Sequence, residues 1–219
     1  LKIDLKTLVF VLGCMGLSVG GAVLCALLRG GWVSATVLNV VMVAVMLGWT
    51  VHQRHRLLAR LLTLSLVAGI VEVAVADPPF IHTGMLRYLG NGPTFFESPA
   101  YMPLGWVYVV GQLGALALWL DERLGVRVSC GATMVLGALL IPVYETLANF
   151  AQWWVYRDPH MLFGTTPWCV IAAEGLIGLG IAVLVRPMDG RSFWWSGGLG
   201  AILGLWMWVA GTICHRLIG

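Results

Sequence analysis

Charge is the property this sequence has least of. Among 219 residues only 13 are Lys or Arg and 10 are Asp or Glu, whereas 59% are apolar and the mean hydropathy is +0.89. A water-soluble domain of this length does not carry so apolar a surface, so the chain reads as an integral membrane protein. The net charge of +3 is spread over short loops without a basic cluster or arm, which excludes nucleic acid as a partner. Phosphate-binding loops are missing too. LGNGP, from Leu89 to Pro93, has Gly90 and Gly92 but no Lys at Walker spacing and no helix behind it, so it is a turn. The histidines form no HxxxH or HxxHH cluster, which disfavours a diiron desaturase or hydroxylase. Cys14, Cys25, Cys130, Cys169 and Cys214 are scattered without CxxC or Cys/His pairing at metal-ligand spacing, and read as buried thiols. No metal or other cofactor is indicated. There is no internal repeat to suggest a transporter, and the short loops leave no room for an ATPase or effector module.

What the sequence does have is apolar length. A bilayer core of about 30 Å takes about 20 apolar helical residues per crossing. Seven segments qualify, at about 7–28, 32–51, 57–76, 101–120, 128–150, 167–186 and 194–214. The expected fold is an all-α bundle of seven transmembrane helices in a single domain over residues 1–219. The first apolar segment is longer than a signal-peptide core and lacks a small-x-small cleavage pattern, so it is expected to be retained.

Orientation follows from Lys and Arg. With the N-terminus cytoplasmic, Lys2, Lys6, Arg54, Arg56, Arg60, Arg123, Arg127, Arg186 and Arg191 fall inside, and Arg29, Arg87, Arg157 and Arg216 fall outside. That asymmetry predicts N-terminus in and C-terminus out, with the bacterial cytoplasmic membrane as the expected location. Asp4, Asp121, Glu122 and Asp189 then lie beside basic residues as ordinary interface charge. The other six acids, Glu72, Asp77, Glu97, Glu145, Asp158 and Glu174, lie in spans or in the two long outer connectors.

On the 1.5 Å helical rise, Glu72 lies about 8 Å from Asp77, Glu174 about 10 Å from Pro167, and Glu145 about 16 Å from Tyr156. The first two fall in the outer half of the membrane, and Glu145 nearer the midplane. Helical spacing also aligns Glu145, Asn149, Gln152 and Tyr156 in one stripe, Tyr101, Gly105, Tyr108 and Gln112 in a second, and Ser65, Gly69, Glu72 and Ala76 in a third. Such stripes avoid lipid and face one another or a cavity. Tyr101, Trp106, Tyr108, Tyr144, Trp153, Trp154, Tyr156 and Trp168 collect near the outer ends of their spans. For Trp153, Trp154 and Trp168 an interfacial belt is the preferred reading, whereas Tyr144 and Tyr108 lie too deep for one. His82 is a candidate proton partner for Asp77 or Glu97. Recurrent GxxxG spacing points to close helix packing.

Carboxyl groups cost several kcal/mol inside a membrane, so several at one depth suggest a chamber for chemistry on a lipophilic molecule. A neutral carboxylic acid can protonate an alkene, aromatic faces can stabilise the resulting cation, and a second carboxylate can remove a proton. In size, in its seven spans and in Glu72, Glu145 and Glu174 set among Trp and Tyr, the chain resembles the small integral-membrane terpene cyclases of meroterpenoid and indole-terpenoid pathways. That resemblance implies metal-independent protonation of an alkene or epoxide of a prenylated, lipophilic substrate reached through membrane lipid. The donor expected from the residues is Glu145, which shares its face with Asn149 and Gln152 and adjoins Tyr144. Glu72 and Glu174 are the other candidate acids. Tyr101, Trp106, Tyr108, Gln112, Trp153 and Trp168 are the remaining substrate contacts, and Asp77, Glu97 and His82 the lid and proton path. Two alternatives stay open: another isoprenoid or lipid isomerase, and a non-enzymatic membrane subunit or carrier whose buried carboxyls are structural.

Overall fold

A computed structural model describes residues 2–188 and 190–219. Asp189, expected among the interface charges, lies outside them. Seven helices are long and apolar enough to cross a membrane. They are α1 (Leu5–Leu28), α2 (Gly31–His52), α3 (Arg56–Val75) with its near-continuation α4 (Asp77–His82), α5 (Met102–Leu124), α6 (Val126–Phe150), α7 (Trp168–Val185) and α8 (Phe193–Ile218). The all-α fold read from the sequence is therefore present.

Local chemistry sets several of the helix ends. Asp4 caps α1 by accepting the Thr7 N–H at 2.8 Å, and Ser192 caps α8 by accepting that of Trp195 at 3.2 Å. The His55 ring does the same for Leu58 at the start of α3. Helix α6 stops at Phe150 because Gln152 adopts a left-handed backbone with φ +61°, which turns the chain back.

Helices α3, α5, α6, α7 and α8 form the tight part of the bundle, with α5 touching α3, α6 and α7. Leu58, Leu61 and Leu64 of α3 interlock with Val110 of α5, Ile181 and Val185 of α7, and Leu203 of α8. Glycine allows the closest crossings. A methyl group at Gly178 would lie 2.3 Å from the Thr133 carbonyl oxygen on α6, and one at Gly200 would lie 2.3 Å from that of Leu64 on α3. Helices α1 and α2 lie alongside α5, and α1 also reaches α6. Their outward faces carry exposed Leu12, Leu17, Val37 and Val41, an apolar surface suited to lipid.

The two ends of the bundle differ. One end is tied by Lys2 to Glu122 at 2.5 Å and by Arg186 to Asp121 at 2.8 Å. The opposite end carries both long connectors, and here the structure departs from loops. Three short strand pairs form: β1 (Leu86–Tyr88) with β4 (Trp154–Tyr156), β2 (Thr94–Phe95) with β3 (Ser98–Pro99), and β5 (Met161–Leu162) with β6 (Thr166–Pro167). The first pair is antiparallel, places Tyr88 opposite Trp154, and joins the two connectors into one cover. LGNGP is irregular backbone with a bend at Gly90, and its glycines have a packing reason: the Trp32 ring lies where side chains at Gly90 and Gly92 would project.

Candidate functional site

Beneath this cover lies a cavity of about 510 Å³, to which all seven long helices contribute. Four carboxyl groups reach its wall: Glu72 from α3, Asp77 from α4, Glu145 from α6 and Glu174 from α7. Their depths agree better than residue counting suggested. Counting placed Glu145 near the midplane by running the helix on to Tyr156, but α6 ends at Phe150, so Glu145 is only about 8 Å from the helix end. On the same rise Glu174 is about 9 Å from the start of α7, and the two acids share one layer.

The hydrogen bonds distinguish the four. Glu72 accepts the indole N–H of Trp106 at 2.7 Å, and Glu145 accepts that of Trp154. Asp77 accepts the hydroxyls of Tyr88 at 2.6 Å and Ser98 at 2.5 Å on the same oxygen. Glu174 has no hydrogen-bond partner among the described residues.

Aromatic groups fill the space between the acids. Tyr101, Trp106, Tyr108, Tyr144, Trp153, Trp154 and Tyr156 all line the cavity, and Tyr144 is held by Ser18 of α1 at 2.5 Å. In the cover, burial pushes the Tyr156 phenol far above its ordinary pKa, and Glu145, Asp77, Glu174 and Glu72 reinforce the shift. Burial, then Asp77 and Glu72, does the same to Tyr88. Both phenols stay protonated, and that of Tyr88 donates to Asp77. Three buried polar atoms on the wall have no partner: Asn39 Oδ1, Tyr101 Oη and Gln112 Nε2.

Of the residues selected from sequence, Glu72, Asp77, Glu145, Glu174, Tyr101, Trp106, Tyr108, Gln112, Tyr144 and Trp153 are brought together here. Five are not. Asn149 stays on α6 one turn beyond Glu145 but is not on the wall, and Gln152 lies past the helix end, where its exposed amide donates back to the Asn149 carbonyl at 3.1 Å. Trp168 faces outward, 47% exposed, as a belt residue does. His82 and Glu97 pair with each other at 2.9 Å on the exposed surface, away from the cavity. Asp77 belongs to the wall and not to a lid.

The belt reading fails for two tryptophans. Trp153 is buried and donates to Ser34 at 3.0 Å, and Trp154 reaches Glu145. Residues that sequence reasoning did not select are Trp154, Tyr88, Tyr156 and Ser98. Three of these sit on the paired strands β1 and β4; Trp154 and Tyr156 were named among the outer aromatics, and Tyr156 on the Glu145 stripe, without a role in the site, whereas for Tyr88 and Ser98 the signal is polar and aromatic density in the first connector.

No curated protein and no solved structure matches the chain. Over residues 79–218, which include Glu145, Glu174 and the whole cover, the chain matches the family described as Domain of unknown function (DUF6989), and it belongs to that family.

Proposed function

We propose that this protein is a metal-independent acid-base catalyst of isoprenoid cyclisation, acting on a prenylated, lipophilic small molecule that enters from membrane lipid. The observation that carries the reading is the acid layer: four carboxyls face one cavity of about 510 Å³, a volume suited to a single small ligand, between aromatic walls.

Glu145 in its neutral form gives its proton to a terminal alkene carbon or an epoxide oxygen of the substrate. The Trp154 N–H already points at the carboxyl that is left and stabilises its charge without reorganisation. The faces of Trp106, Tyr108 and Tyr144 stabilise the carbocation as rings close. Glu174, which has no hydrogen-bond partner, removes a proton from a carbon next to the final cation. Return of that proton to Glu145 completes the cycle, relayed by Tyr156, which lines the same cavity. One proton enters and one leaves, so the product is an isomer of the substrate.

The site lies in the outer half of a bacterial cytoplasmic membrane in this reading, with the N-terminus cytoplasmic and the C-terminus outside, on the Lys and Arg asymmetry of the two bundle ends. A second reading, a non-enzymatic membrane subunit or carrier, is favoured by the hydrogen bonds that already occupy Glu72, Asp77 and Glu145. The test is incubation of the detergent-solubilised protein with farnesylated and geranylgeranylated aromatic acceptors, without added metal, followed by mass spectrometry of the organic extract. A product of unchanged mass and new retention, lost in folded Glu145→Gln, supports the catalyst, and NMR separates cyclisation from double-bond isomerisation. No product across the panel from folded protein transfers the assignment to the subunit or carrier.

A further inference from the structure

Outside the acid layer, three donors of three different kinds converge where the second connector meets the ends of α7 and α8. We propose that Asp158, Cys169 and His215 form a binding site for a zinc-like divalent cation that clamps the cover to the helix bundle. Their ligand atoms all lie within 4.8 Å of one another, although the residues come from a connector, from the first turn of α7 and from the last turn of α8. Donors sharing one zinc ion stand roughly 3.5 Å apart, so binding draws the three in by about 1 Å. Thiolate, imidazole and carboxylate together make a set that suits zinc and leaves one of four positions for water.

Each donor is held in place and has capacity to spare. The chain just before Asp158 is fixed by the Arg157 N–H, which donates to the Met85 carbonyl at 2.8 Å as an extension of the strand pair. One Asp158 oxygen accepts the His160 N–H at 2.7 Å, which leaves the other for a ligand bond. Cys169 is buried with a free thiol. The His215 ring packs edge-on against Phe80 at 5.7 Å, and its Nδ1 is buried without a hydrogen-bond partner among the described residues. Buried ring nitrogens are ordinarily satisfied, and an imidazole beside a thiol and a carboxylate is a usual metal ligand. Phe80 and Cys169 also line the cavity, so occupancy at this site fixes one wall of it.

The test is titration of chelator-stripped protein in detergent, under reducing conditions, with cobalt(II). One equivalent is expected to give a near-ultraviolet thiolate-to-cobalt charge-transfer band and the visible bands of four-coordinate cobalt, both abolished by excess zinc. Cys169→Ser removes the charge-transfer band, Asp158→Asn and His215→Gln each weaken cobalt binding by at least about tenfold, and Cys214→Ser leaves the spectrum unchanged. Absence of a cobalt spectrum in the wild-type protein overturns the site, as does its persistence in Cys169→Ser. If Cys169→Ser fails to give a monodisperse helical protein, Asp158→Asn and His215→Gln decide, and unchanged affinity in both overturns it. The readout is independent of turnover, so it stands or falls separately from the proposed chemistry.

Discussion

Gly178→Ala sets two opposing effects against each other in one helix. Replacing glycine by alanine inside a helix is worth about 0.8–1.0 kcal/mol in backbone terms, so a site with free space around it gains stability. At Gly178 the new methyl would sit 2.3 Å from the Thr133 carbonyl oxygen, whereas ordinary contact begins at 3.4 Å. The obstacle is backbone, which no rotamer change moves, so α6 and α7 must separate locally by about 1 Å. Overpacking of this kind costs about 1–3 kcal/mol, which outweighs the propensity gain and leaves a net loss of up to about 2 kcal/mol. Gly13 on α1 provides the control, because its methyl would meet nothing within 4 Å, and Gly13→Ala is expected to gain up to about 1 kcal/mol. At about 2–4 °C per kcal/mol for a chain of this size, the two variants bracket the wild type by several degrees in thermal unfolding followed by circular dichroism in one detergent. Gly178→Ala unfolding at or above the wild-type temperature would refute the close crossing of α6 and α7.

Trp154→Phe keeps a ring against Tyr88 and removes the N–H donated to Glu145. At about 1.5–3 kcal/mol for a hydrogen bond to a charged group, turnover is expected to fall roughly ten- to a hundredfold with the helical spectrum intact; an unchanged rate would detach Trp154 from the chemistry. Asp4 is held below its ordinary value, first by the Thr7 side chain and then by the Thr7 N–H. Its contribution is therefore complete above the unfolded pKa of about 3.9 and is lost as pH falls through the lower folded value. Asp4→Ala is expected to cost about 1 kcal/mol at pH 7 and almost nothing near pH 2, and an equal cost at both would contradict the cap.

The helices were legible because apolar length is a local property, and so was the presence of Glu72, Glu145 and Glu174 within it. The partners of those acids were legible only in part. Trp106 could be read as a wall residue since it stays on its helix, but Trp154 reaches Glu145 only because Gln152 reverses the chain, and a helical wheel continued through that point assigned Gln152 instead. Tyr88 and Tyr156 are brought in by strands of three residues, too short for an alternating pattern to register. The Asp158, Cys169 and His215 cluster escaped spacing rules for a related reason: those rules detect ligands on one local motif, whereas these come from three separate elements. His82 was open to Asp77 or Glu97 as its partner; it pairs with Glu97, on the surface rather than over the acids.

The pairing of Leu86–Tyr88 with Trp154–Tyr156 also imposes an order on biogenesis. The first of these strands leaves the ribosome before α5 and α6, and the second only after both, so the nascent chain holds Glu72 and Asp77 in an uncovered trough while two more helices are inserted. Contacts this distant in sequence form late. Exclusion of water from the acids is therefore a late assembly step, and a chain truncated after α5 would leave its third helix with carboxyl groups still open to solvent or to the insertion machinery.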